Sequence, residues 1–134
     1  MVARWLRRDP DLPIDRVRRS GTWTFLDPAA ADDMIGFIRT NRTALVAIGE
    51  VGLDFWVVTS EAARAVQREI FARFISLSIE LDLPLNVHSR SAGRHAVDML
   101  LEQGAQKVQL HAFDGKASAA MPAKCNVKPT KICL

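Results

Sequence analysis

This sequence of 134 residues has little cysteine, lacks tyrosine and contains no long apolar run. It contains two cysteines and no tyrosine. Cys125 and Cys133 are too few, and too close to one end, to form the disulfide framework of a small secreted protein. No stretch approaches the roughly 20 apolar residues that a membrane helix needs. We therefore expect reduced thiols, no membrane association and a cytoplasmic or nuclear protein.

Positive charge is scarce in the middle of the chain and concentrated at its ends. Residues 1–20 contain six arginines and three aspartates, and residues 116–134 contain four lysines and no acid. Because the net charge of the whole chain is +3, residues 21–115 carry −4. A basic end is usually a solvated tail, so the pI of 9.2 is weak evidence for nucleic-acid binding. The Arg-rich opening also lacks the apolar core of a secretory signal.

From Asp27 to His111 the sequence alternates between helix and strand patterns. Asp27 and Pro28 are typical of a helix start, and the spacing of Val66, Ile70 and Phe74 predicts an amphipathic helix. The predicted elements are a helix at 28–40, a strand at 44–48, a loop at 49–60, a helix at 61–81, a strand at 85–88, a helix at 92–103 with Gly104 as its C-cap, and a strand at 107–110. Alternating strands and helices predict βαβ units and a parallel sheet.

Three side chains with metal-binding chemistry follow the predicted strands. Glu50 comes two residues after the strand at 44–48, His88 is the last residue of the strand at 85–88, and His111 directly follows the strand at 107–110. Ligands of parallel sheets bind beyond the carboxyl ends of the strands, where these three side chains would meet. Two imidazoles and one carboxylate are the usual protein ligands of a catalytic zinc ion, which lowers the pKa of a bound water. The sequence therefore predicts a metal site.

Other polar residues near these strand ends are candidates for supporting roles. Asp54 is placed to orient a metal ligand or accept a proton, and Arg90 to bind a phosphate. Asp114 is a weaker supporting candidate. Trp56 is either a stacking platform for a nucleobase or, as we favour, a cap on the sheet.

Each residue also has a structural alternative. A glutamate beside glycines is often only a solvated loop carboxylate, and a histidine at a strand end is often a rim residue without a metal. His95 is interpreted as a surface residue of the third helix. The arginines of the second helix, Arg64 among them, are interpreted as its solvated face.

Four segments resemble the TatD family of metal-dependent DNases. They are AIGEVGLDF (47–55), QREIF (67–71), LPLNVHSRSAG (83–93) and LHAFDG (110–115). The resemblance spans about residues 44–115 and keeps the order and spacing of the family motifs. It implies an α/β fold, the (β/α)8 TIM-type barrel of the amidohydrolase superfamily, and hydrolysis of phosphodiester bonds in DNA.

The resemblance also implies roles for individual residues. Glu50 would be the carboxylate that bridges two divalent metals, zinc or magnesium, and His88 and His111 would bind the second of them. Arg90 would lie near the substrate phosphate. We accordingly assign metal binding to Glu50, His88 and His111, and catalytic roles to Glu50, Asp54 and Arg90.

Parts of the family pattern are missing from this sequence. It has no H-x-H pair and no late aspartate in a T-D-S-P-like motif. Its 134 residues are also fewer than the roughly 250 of a full barrel. We therefore expect a truncated copy: an irregular segment at 1–26, a partial barrel of about three βα units at 27–115, and a basic tail at 116–134. Its open edges predict a homo-oligomer or pairing with a full-length copy.

Three functions follow from these patterns. The first is a TatD-type deoxyribonuclease that uses metal-activated water and is impaired by truncation, with DNA as its substrate. The second is an inactive fragment that serves as a binding or interaction module. The third is an amidohydrolase-like enzyme for another ester or amide.

Overall fold

The computed structural model describes residues 26–111, 113, 115 and 131–133. The elements in this part of the chain are helix α1 (Pro28–Thr40), a 3-10 turn (Arg42–Ala44), strand β1 (Ile48–Gly52), helix α2 (Glu61–Leu81), strand β2 (Leu85–His88), helix α3 (Gly93–Glu102), strand β3 (Lys107–His111) and strand β4 (Lys131–Cys133). The strands form one parallel sheet in the order β1-β2-β3-β4. The expected irregular segment at 1–26 lies outside the described residues except for Leu26, and the chain divisions at 26 and 115 stay predictions.

The helices begin and end where the sequence predicts, to within one residue. The Asp27 carboxylate accepts hydrogen bonds from the amides of Ala29 and Ala30 at the start of α1. The Ser60 hydroxyl accepts one from the Ala63 amide at the start of α2. Such caps satisfy amides that lack partners within the helix. Gly104, with a φ of 75°, follows the C-cap of α3 and closes its last turn.

The helices cover one face of the sheet and form the core there. Strand residues Ile48, Val87 and Leu110 are buried, as are Phe71 and Ile75 of α2. In β3 the alternate residues Lys107, Gln109 and His111 are exposed. One face of β3 is therefore packed against helices, while its other face is open to solvent and polar.

The first strand begins later than its apolar pattern predicts, so the prediction of a strand at 44–48 followed by a loop from Gly49 is wrong. Arg42–Ala44 form a 3-10 turn, and the Arg42 guanidinium holds this turn by donating to the Leu81 carbonyl at 3.0 and 3.2 Å. Pairing with β2 starts only at Ile48, whose amide donates to the Pro84 carbonyl at 2.8 Å. Tertiary contacts override the local apolar signal here.

Two glycines let β1 lie against β2. A Cβ atom built on Gly52 would be 2.1 Å from the His88 carbonyl oxygen, and one built on Gly49 would be 2.6 Å from the Asn86 Cβ. The pairing register shifts between Gly49 and Val51, which leaves Glu50 at a β-bulge. The two glycines around Glu50 are therefore required by the close approach of the two strand backbones.

No helix in the described part of the chain is long and apolar enough to cross a membrane.

Gly52→Ala should lower the free energy of unfolding by more than about 1 kcal/mol, because the new methyl group overlaps β2 and Gly52 has a φ of 145°. Gly36→Ala is the matched control. Gly36 is in the middle of α1 with no atom within 4 Å of a built Cβ, so this change should stabilise the protein by roughly 0.5–1 kcal/mol. Urea unfolding measures both, and equal effects of the two substitutions would contradict the packing described for β1 and β2.

Candidate metal centre

Strand pairing brings the three predicted ligands together. His88 and His111 are the last residues of β2 and β3, and they are direct partners in the sheet. Gly52 is the partner of His88 on the other side. Glu50 lies inside β1 rather than beyond its end, and it reaches the same edge of the sheet from the bulge.

The ligand atoms of these residues form a compact group. One ligand atom from each of Glu50, His88 and His111 can be chosen so that all lie within 4.8 Å of one another. The Glu50 Oε1 to His111 Nε2 distance is 3.4 Å, and the ring centroids of His88 and His111 are 6.2 Å apart. The Glu50 and His111 side chains are 18% and 54% exposed, whereas His88 is buried. The group is therefore open to solvent on the side of His111.

The two ring nitrogens of His88 have different environments. Nε2 lies 3.2 Å from Asp54 Oδ2, while Nδ1 is buried and has no hydrogen-bond partner. A neutral imidazole that donates from Nε2 to the carboxylate has its lone pair on Nδ1. A buried acceptor without a partner is costly unless something binds it. This arrangement fits a carboxylate–histidine–metal triad with Nδ1 as the metal ligand.

The His88 imidazole is kept neutral by its surroundings. Burial lowers its pKa from 6.5, and the carboxylates of Asp54 and Glu50 oppose this effect without reversing it. Metals bind the unprotonated imidazole. His88 is therefore in the protonation state that a metal ligand needs at neutral pH.

Asp54 is held by contacts on both sides of its carboxylate. Its Oδ1 accepts hydrogen bonds from the amides of Trp56 and Val57, each at 3.2 Å, and Oδ2 faces His88. Its own amide donates to Gln67 Oε1 at 3.0 Å. Gln67 is buried on α2, and sequence reasoning gave it no role. Gln67 lies on the same buried face of α2 as Ile70. This position could have indicated a structural role, because a buried polar side chain needs a hydrogen-bond partner.

A second residue of α2 also holds the loop between β1 and α2. Arg64 Nε donates to the Val58 carbonyl at 2.9 Å, and its Nη2 donates to the Phe55 carbonyl at 3.2 Å. Its guanidinium carbon also lies 4.5 Å from the centre of the Phe55 ring. The interpretation of Arg64 as part of a solvated face is therefore wrong, since long side chains on a helix can bind a neighbouring loop.

Arg90 and Trp56 contact each other at the rim of the site. The Arg90 guanidinium carbon lies 4.9 Å from the centre of the Trp56 ring. Trp56 is 65% exposed, so the prediction that it caps the sheet is wrong. His95 is exposed, as predicted, and the centroid of its ring lies 5.2 Å from that of Phe55 at an interplanar angle of 64°. Asp114 lies outside the described residues.

The donor set suits a divalent ion. Two imidazoles and a carboxylate, with one coordination side open to solvent, are the composition of a catalytic zinc site. The buried Asn86 Oδ1, two residues before His88 on β2, and the buried Ser89 Oγ, directly after His88, also have no partner among the described residues. The observed side chains thus fit a metal with adjacent polar groups.

Comparison with known proteins points to one family. The family model described as "TatD related DNase" matches residues 24–126. A human protein named "Deoxyribonuclease TATDN3" is 49% identical over 107 residues, which cover 78% of this chain and 37% of that protein. A protein of Mycobacterium tuberculosis named "Uncharacterized metal-dependent hydrolase TatD" is 34% identical over 128 residues, 88% of this chain and 47% of that one.

A solved structure supports the fold. The crystal structure of a hydrolase TatD family protein from Entamoeba histolytica matches with a TM-score of 0.53 and 22% identity, over 72% of this chain and 33% of that one. The sheet is thus part of a (β/α)8 TIM-type barrel, and the described residues contain the units β1–α2 and β2–α3 and the strands β3 and β4. The chain spans less than half of the length of the two curated relatives named above, 37% of the human protein and 47% of the mycobacterial one. Since the family model covers more than half of its residues, this chain belongs to the family of TatD-related DNases.

Proposed function

We propose that this chain carries part of the active centre of a metal-dependent deoxyribonuclease of the TatD type. The observation that carries the proposal is the meeting of Glu50, His88 and His111 at one edge of the sheet, with the buried His88 Nδ1 left without a partner. Membership of the family and the names of its relatives support DNA as the substrate.

Each residue has a role in this proposal. Glu50, His88 and His111 hold a divalent ion, zinc or magnesium. A bound ion would lower the pKa of a water molecule and stabilise charge that develops on phosphate oxygens. Asp54 orients the His88 imidazole and keeps the proton on Nε2, so that Nδ1 faces the ion. Arg90 supplies positive charge for a substrate phosphate.

The activity of the chain by itself is a separate matter. The H-x-H pair and the late aspartate of the family are absent from its sequence. We infer that the described residues hold one metal rather than two, and that hydrolysis is impaired. Among the described residues, the polar face of β3 and the edge of β1 are surfaces that a second copy, or a full-length copy, would cover.

Two other functions would use the same residues. An amidohydrolase-like enzyme for another ester or amide would use the same metal ligands, because the donor set does not specify the bond that is broken. An inactive binding module would follow if one metal supports binding but not hydrolysis. We propose that the protein is cytoplasmic or nuclear, since two cysteines are too few for the disulfide framework of a small secreted protein.

Glu50→Ala, His88→Ala and His111→Ala should each weaken zinc binding by more than about 10-fold, because removal of even a supporting partner of a ligand costs 10- to 100-fold. Isothermal titration of the metal-free chain measures the affinity. His95→Ala removes an exposed histidine outside the group and should leave zinc binding unchanged. Unchanged affinity in all three ligand variants would contradict the assignment.

Acid should destabilise the metal-free chain through His88. Burial lowers the pKa of His88 in the folded state below the ordinary value of 6.5, which applies to the unfolded chain. At a pH between these two pKa values the unfolded chain binds more protons than the folded chain. The free energy of unfolding therefore falls as the pH drops through 6.5. His88→Gln should flatten this pH dependence, whereas His95→Gln should keep it. Urea unfolding between pH 5 and 8 measures the difference, and the same slope in both variants would argue against a neutral, buried imidazole.

Hydrolysis of DNA by the metal-loaded chain is the direct test of the substrate. Release of nucleotides from a labelled oligonucleotide should depend on added metal and should be lost in Glu50→Gln. Cleavage of small carboxylic esters or amides without cleavage of DNA would favour the second enzymatic function. Metal binding without any hydrolysis would favour the binding module.

A further inference from the structure

His111 has the least support of the three candidate metal ligands. Its side chain is 54% exposed, and within the described residues its one ionic partner is Glu50 Oε1 at 3.4 Å. His88, by contrast, is buried and contacts Asp54, whose own amide is bound by Gln67. A side chain that moves freely in the metal-free chain loses that freedom on binding, which weakens the affinity. A contact that fixed the chain next to His111 would therefore favour metal binding.

Phe113 makes such a contact two residues after His111. Its side chain is partly buried and packs against the hydrophobic core. The edge of its ring lies against Gly93, where a built Cβ atom would be 2.6 Å from Cε2. The same edge lies against Gly115, where a built Cβ atom would be 2.5 Å from Cζ. The ring thus occupies the space that a methyl group would need at either glycine.

The phenyl ring, and not the local backbone, accounts for the glycine at position 93. Gly93 is the first residue of α3, and its φ lies outside the left-handed region that favours glycine, unlike the φ of Gly104. Glycine is also a poorer helix former than alanine. Without the Phe113 ring, alanine would therefore be the more favourable residue at this position.

This contact joins the loops that follow two of the ligand-bearing strands. Phe113 follows β3, which ends at His111, whereas Gly93 follows the loop after β2. The loop after β2 is in turn joined to the loop after β1, because the Phe55 amide donates to the Arg90 carbonyl at 3.1 Å. The loops behind all three candidate ligands are therefore connected, and Phe113 supplies the link to the third.

We propose that Phe113 is a positioning residue of the candidate metal centre, because its ring, packed on Gly93, fixes the loop after β3 and with it the His111 imidazole. The role of the phenyl group is exerted through His111 and not by contact with the metal. Ligands that are already in place bind a metal more tightly, since less conformational freedom is lost on binding. The inference rests on the metal site of the proposed function and deepens it.

The zinc affinity of Phe113 variants tests this role. Phe113→Ala should weaken zinc binding by roughly 2- to 12-fold, the affinity equivalent of one side chain that must be immobilised on binding. Phe113→Met should restore most of the affinity, because its flexible side chain can fill the same space. Phe37→Ala is the control, since Phe37 is also partly buried against the core but lies on α1. It should lower the stability and leave zinc affinity unchanged. Isothermal titration measures the affinity, and circular dichroism checks that each variant is folded.

A substitution at Gly93 tests the packing independently. Gly93→Ala should weaken zinc binding in the original chain, because the new methyl group displaces the ring. In a Phe113→Ala background the same substitution should leave zinc affinity unchanged, since the space is then empty. Gly36→Ala is the matched control, because nothing lies within 4 Å of a Cβ atom built there. Gly93→Ala keeps the phenyl group, so it tests the inference even where Phe113→Ala is too unstable for titration. Additive effects of the two substitutions, or no effect of Gly93→Ala, would overturn the inference.

A His111→Ala background separates positioning from general stability. If Phe113 acts through His111, Phe113→Ala should weaken zinc binding no further once His111 is replaced. A purely structural role of Phe113 would weaken zinc binding by the same factor in both backgrounds. Equal losses in the two backgrounds, or no loss in either, would contradict a positioning role.

The inference and the proposed function fail in different ways. Zinc binding that requires the three candidate ligands but is unaffected by Phe113→Ala would overturn the positioning role and leave the metal site standing. Zinc binding that depends on Phe113, without hydrolysis of DNA, would support the positioning role and contradict the nuclease. An unmutated chain that binds no zinc would overturn both.

Discussion

The close pairing of β1 with β2 is the constraint on which the site depends. The backbones approach so closely that a side chain at Gly49 or Gly52 would overlap β2. The bulge between these glycines directs Glu50 to the edge where His88 and His111 end their strands. A looser pairing would move the carboxylate away from the two imidazoles, and the candidate metal ligands would no longer converge.

Side chains of α2 hold the loop after β1 in place at the site. Gln67 accepts from the Asp54 amide, and Asp54 in turn holds both His88 and the turn at Trp56. Arg64, three residues before Gln67 on the same helix, binds the same loop. Because these partners are on a helix, the loop that supports the candidate metal ligand His88 is positioned by packing and not only by its own sequence.

Much of the fold and the site is readable from the sequence, and the failures have physical causes. The helix caps at Asp27 and Ser60 and the strand-end histidines are local signals, so they could be recognised without a structure. The start of β1 could not, because a tertiary contact of Arg42 with α2 decides it. The role of Arg64 and the exposure of Trp56 likewise depend on how a loop folds against a helix. Sequence periodicity does not encode such contacts.

We propose that Glu50, His88 and His111 together bind one divalent metal. X-ray absorption spectroscopy of the chain loaded with one equivalent of zinc tests this directly, since imidazole scattering counts the histidine ligands. We expect two imidazoles and oxygen ligands at about 2.0–2.2 Å, and loss of one imidazole in His88→Ala. A spectrum with no imidazole, or with sulfur ligands from the cysteines, would contradict it.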